Sequence, residues 1–213
     1  MTALGLMIIF LLCYDTAVSG TVIYIRPINT SVSCISNLCL TLSDVASNFS
    51  YYQDNADISL VFLPGYHQLD SKFLIANVDK FSMIPDAILP DSIMITCGQQ
   101  GNFFYLSVDS VFISDLNFIN CSHTIELVSS CIAQNCTFQN SSTTAIKIVN
   151  SVILIKKSMF ISNSVGACRS SKGDPYYYSV FLSGGSAIAA KRSSVTVEDS
   201  EFERNCAEIG EAI

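Results

Sequence analysis

Four phenylalanines constrain this chain more than any other feature: Phe118, Phe138, Phe160 and Phe202 stand 20, 22 and 42 residues apart. Each closes a similar octapeptide, at residues 111–118, 131–138, 153–160 and 195–202. In every octapeptide two mainly polar residues (Ser114-Asp115, Gln134-Asn135, Lys156-Lys157, Glu198-Asp199) separate two short β-type runs, which reads as strand, corner, strand. A further short run precedes each one, at 104–106, 125–128, 145–149 and 187–190. Three short strands in 20–22 residues make one coil, and like positions on successive coils stack about 4.8 Å apart. The prediction is an all-β parallel β-helix whose interior is filled by a phenylalanine ladder. Each buried Phe contributes roughly 1.5–3 kcal/mol, so core packing explains the stripe without a ligand.

The 42-residue step is twice 21, so either one coil lacks the Phe signature or one coil carries an insertion. Phe181 falls 21 residues after Phe160, but Pro175 would occupy its preceding strand and remove a ladder hydrogen bond. The segment 168–185 therefore reads as an inserted loop. An Asn follows each Phe by two or three residues, at Asn120, Asn140, Asn163 and Asn205, where a short amide suits a left-handed corner and stacked amides can bond along the axis. Placing all four in one inward ladder creates a conflict. Asn120 and Asn140 are also glycosylation sequons, as are Asn29, Asn48 and Asn135, and an inward amide cannot carry a glycan.

With these residues in view, the chain resembles the pectate-lyase-like right-handed parallel β-helix superfamily. Phe202-Glu-Arg-Asn205 with Ile209-Gly-Glu-Ala-Ile213, and Gly184-Gly-Ser-Ala-Ile188, resemble the FxxN and GGAI signatures of polymorphic outer-membrane protein repeats. The resemblance covers residues 103–213, about half of the chain, and implies a right-handed coil.

Upstream, Leu42, Val45, Ala46 and Phe49 fall on one face of a short amphipathic helix suited to cap the coil stack. Residues 58–65 read as a strand ending in a Pro-Gly turn, with further strands near 73–75 and 81–84. Residues 4–13 are an apolar run followed by small residues, too short for a bilayer span and suited to a secretory signal peptide at 1–19. Residues 20–213 would form the β-helix domain, secreted or displayed at an extracellular surface, with eight Cys in an oxidising compartment. Of the possible pairings the short-range Cys34–Cys39 disulfide is expected. The chain stops three residues into what should be another strand, which points to a longer parent.

Half the residues are hydrophobic and 14% charged, which fits a folded core, and a net charge of −7 with only 11 Lys and Arg excludes a phosphate-binding surface. No nucleic-acid partner, membrane span, metal or cofactor is expected. The position three before each Phe reads Asp115, Asn135, Lys157 and Asp199, so its carboxylates lie three rungs apart, about 14 Å, beyond the spacing that glycoside hydrolysis needs. Cys131 and Cys136 read as small buried thiols or a local disulfide, and His67 and His123 as surface residues after a turn and beside a corner. The surface with most binding character is the inserted loop, where Tyr176, Tyr177 and Tyr178 offer flat faces with hydroxyl handles. The reading is a non-catalytic extracellular module that binds a glycan or a cell-surface protein. A carbohydrate-active enzyme with an unrecognised site and a structural segment of a larger extracellular protein are the alternatives.

Overall fold

The computed structural model describes residues 20–28, 39–49, 57–86, 93–98, 103–122, 124–165 and 186–207. They build three large parallel sheets, a two-stranded parallel sheet of Ser164–Val165 and Cys206–Ala207, and one short helix. The first sheet has eight strands: Thr21–Ile25, Cys39–Leu40, Asp57–Phe62, Lys80–Pro85, Ser110–Ser114, Ser130–Gln134, Val152–Lys156 and Ser194–Glu198. The second sheet has six, from Gly65–Leu69 and Ile93–Cys97 to Glu201–Glu203, and the third has five, from Phe73–Ala76 to Ile188–Lys191. From Asp57 onward the chain visits the sheets in fixed rotation, first, second, third, and each visit adds a strand beside the one laid down a repeat earlier.

Register carries the sequence period into space. Phe118 pairs with Phe138, Phe138 with Phe160, and Phe160 with Phe202. The rings stack nearly parallel, with centroids 5.1, 5.0 and 4.9 Å apart. The 42-residue step therefore contains an insertion, because Phe160 and Phe202 are direct neighbours, as are Ile153 and Val195. Residues 166–185, with Tyr176, Tyr177 and Tyr178, lie outside the described residues, as do residues 1–19, expected as a signal peptide, and Asn29, Cys34 and His123.

Corners set the shape. Eleven non-glycine residues have positive φ, and seven of them are Asn or Asp, the side chains that tolerate this region best. Asp115, Asn135, Lys157 and Asp199 form one such column, between the first and second sheets; Asn120, Asn140, Ser162 and Arg204 form another, after the second. At the later corners the residue that follows turns inward and caps the repeat before it. Asn163 Oδ1 accepts the Ser141 N–H at 2.9 Å and Asn205 Oδ1 the Asn163 N–H at 3.1 Å. Ser158 Oγ accepts from Cys136 N–H, Ser200 from Ser158 N–H, and Ser193 from Ser151 N–H. These bonds satisfy backbone donors that the bend removes from the ladder.

The single inward asparagine ladder thus divides in two. Asn163 and Asn205 point inward, whereas Asn120 and Asn140 are exposed corner residues with φ of 58° and 56°. An Asn two residues after Phe takes the corner itself; one three residues after takes the inward position behind it. The conflict between ladder and glycan disappears.

At the amino-terminal side, helix α1 (Leu42–Asn48) starts at Thr41, whose Oγ1 accepts the Asp44 N–H while the Asp44 carboxylate accepts the Thr41 N–H. Leu42, Val45 and Phe49 are buried, and the helix packs on Gly65–Leu69 and Phe73–Ala76, the first strands of the second and third sheets. Phe49 meets the edges of Phe73 and Phe81 at 5.0 and 6.4 Å. The capping role read from its apolar face is what it performs.

Candidate functional site

Alternation along the first sheet's strands fixes which side chains leave the core. Val111, Cys131 and Ile153 point inward, as do Ile113, Ala133 and Ile155. Phe112, Ile132 and Leu154, between them, share one outward column by register. Ile132 is 41% exposed, and Val152, in the adjoining outward column, 56%. Toward the amino-terminal side the apolar character moves one column, to Tyr24, Val61 and Ile84, which are also in mutual register. Serines complete the face: Ser82 Oγ donates to Ser59 Oγ at 2.7 Å, and Ser110 and Ser130 flank the Phe112 column. The result is an outer surface with an apolar ridge and a hydroxyl border. The sequence carried a signal for it. Val111-Phe-Ile, Cys131-Ile-Ala and Ile153-Leu-Ile are continuous apolar runs in strands where one solvated face predicts alternation.

Two ion pairs mark the outer faces. Lys147 Nζ lies 3.0 Å from Glu126 on the third sheet, and Lys156 Nζ 3.0 Å from Glu198 at the rim of the first. Exposed pairs of this kind are worth about 0–1 kcal/mol, so they order the surface more than they hold it together. Asp115 and Asp199 stand three rungs apart in one column, with Asn135 and Lys157 between them, and Asn135 Nδ2 donates to Asp115 at 3.1 Å. Lys72 sits over the rings of Phe103 and Tyr105, 4.7 and 4.9 Å from their centroids.

Residues singled out from the sequence are distributed rather than gathered. Asn135 is exposed at the corner between the first and second sheets, Asn120 and Asn140 at the next corner, and Asn48 near the helix end, where its amide donates to the Asp44 carbonyl. Cys39 and Cys206 take part in disulfides whose partners lie outside the described residues, and Cys97–Cys121 joins adjacent rungs of the second sheet. Cys131 and Cys136 are free, buried thiols, and burial raises both pKa values, that of Cys136 to about 12. They stay protonated and are not nucleophiles.

His67 differs from its expected surface position. It lies within the strand Gly65–Leu69, is fully buried, and pairs in register with inward-facing Ile95. The Pro64-Gly65 turn is complete before it, so the strand begins earlier than the turn residues suggest. Nε2 donates to the Leu63 carbonyl at 2.8 Å, Phe62 meets the ring edge-on at 5.2 Å, and Nδ1 has no partner. Burial lowers its pKa, outweighing the opposing pull of the Leu63 and Arg26 backbone. His67 is a core histidine, apart from any surface site.

Among the described residues no group of three or more His, Cys, Asp or Glu is arranged to hold a metal ion, and no helix is long and apolar enough to cross a membrane. Comparison with protein families, with curated proteins and with solved structures finds no match to this chain.

Proposed function

We propose that the chain is a right-handed parallel β-helix that works outside the cell as a non-catalytic binding module, with the outer face of the first sheet as its binding surface and a protein as its partner. Right-handedness is supported by the general rule that parallel crossover connections within a sheet are right-handed in about 98% of cases. The extracellular setting is supported by the Cys97–Cys121 disulfide together with the five sequons. Binding rests on one observation, the outward ladder of Phe112, Ile132 and Leu154. A continuous apolar ridge of Phe112, Ile132 and Leu154 on a rigid sheet suits the apolar centre of a protein interface of matching shape. The charged side chains nearest the ridge are already paired, which leaves the apolar stripe as the attractive element.

Binding of labelled chain to cells bearing extracellular protein tests this. Retention should fall at least tenfold on Ile132→Glu or Leu154→Glu with the unfolding transition unchanged, and after protease treatment of the cells, while surviving their deglycosylation. Retention indifferent to both substitutions, or cleavage of a polysaccharide by the chain, overturns the reading.

A further inference from the structure

Asn120 and Asn140 are the only two sequon asparagines among the described residues that occupy neighbouring rungs of one corner column. The Asn120 N–H donates to the Gln139 carbonyl at 3.0 Å, Ile119 pairs with Gln139, and both asparagines have the same left-handed backbone. Their side chains therefore leave the surface in parallel, about one strand spacing, 4.8 Å, apart. The Asn140 amide donates to Asn120 Oδ1 at 3.3 Å, so the two groups that would accept sugar are already in contact. An N-linked glycan replaces one hydrogen on Nδ2 with a pyranose carrying a 2-acetamido group, which is wider than one rung. Two such groups on parallel stems would overlap, and the fixed corner gives neither stem room to splay.

We propose that Asn120 and Asn140 form one shared glycosylation site, which carries a single N-glycan on one asparagine or the other in each folded molecule. This rests on the secretory part of the reading above, since the transfer takes place on chains that enter that route. Both hydroxyl residues of the sequons, Ser122 and Ser142, lie just past the corner, so either asparagine meets the sequence requirement. A chain glycosylated at both positions before folding could not close these rungs and would be retained. Asn135 serves as the internal control. It is exposed at the neighbouring corner, and its rung neighbours, Asp115 and Lys157, are not asparagines.

All three asparagines fall on one tryptic peptide, residues 81–147, which contains no internal Lys or Arg. Enzymatic deglycosylation of the secreted protein in heavy-oxygen water, followed by mass spectrometry of that peptide, counts the glycans each molecule carried. The expected result is one conversion from the pair per peptide, with Asn135 converting independently. Asn120→Gln and Asn140→Gln should each leave that count unchanged, and the double variant should lower it by one. Peptides converted at both Asn120 and Asn140, or at neither while Asn135 is occupied, overturn the shared site and leave the secretory reading standing. A chain that never reaches the medium and carries no glycan at any sequon overturns both.

Discussion

The two halves of the molecule hold together by different means. From Phe118 onward the interior holds a column of stacked phenylalanines, and the later corners are capped by Ser and Asn side chains that reach back one repeat. Before it, in residues 20–86, aromatic rings meet edge to face, around Phe49, Phe73, Phe81, Phe62 and His67, and a helix closes the end. The side-chain cap there runs in the opposite sense: Ser43, on the helix, accepts the N–H of Asp70, which comes later in the chain. A regular repeat lets one solution serve many rungs, whereas the amino-terminal side departs from the repeat and is filled by large irregular side chains.

Substitutions can break that contrast, beginning with the strongest. Phe138→Ala removes a ring stacked on both sides and should cost about 4 kcal/mol in urea unfolding of the chain. A loss below about 1 kcal/mol would mean that the column is not a principal support. Asn163→Ala strips an acceptor from the Ser141 N–H and a donor from the Phe138 carbonyl, both buried, for about 2 kcal/mol. Thr41→Ala, at the other end, removes the helix cap for about 1 kcal/mol, and hydrogen exchange should quicken in α1 while the stacked rungs keep their protection. The smallest effect belongs to Ile132→Ser on the outer face, within about 0.5 kcal/mol, which separates a binding surface from a structural one.

Acid should also distinguish the halves. Because burial lowers the pKa of His67, the folded protein binds its proton less readily than the unfolded chain does. Its contribution is fully present above the unfolded value of about 6.5 and is lost as pH falls from there through the depressed folded value. Unfolding followed between pH 7 and 5, about the range where an unperturbed histidine titrates, should show this slope in the native sequence and a flatter one in His67→Leu.

Much of the architecture was legible because a repeat writes the same constraint many times. A Phe every 20–22 residues fixed the register, and Pro175 correctly excluded an extra coil between Phe160 and Phe202. Features that occur once were harder to read. His67 follows a Pro-Gly pair that marks a turn, and only pairing with Ile95 shows that the strand has already begun. The asparagines look alike in sequence, and the one-residue difference in spacing after Phe decides whether the amide faces water or the core. The outward ridge was hidden by the same hydrophobicity that marked the strands, since an apolar residue on the wrong face resembles one on the right face until register is known.

The back-reaching Ser and Asn caps give the fold a direction in time. In the later repeats, bend amides depend on side chains that follow them by 21 to 42 residues, as Val108 depends on Ser129 and Asn163 on Asn205. A chain emerging from its amino terminus thus presents, at its latest layer, bend amides that only water meets until the next repeat arrives with its capping side chain.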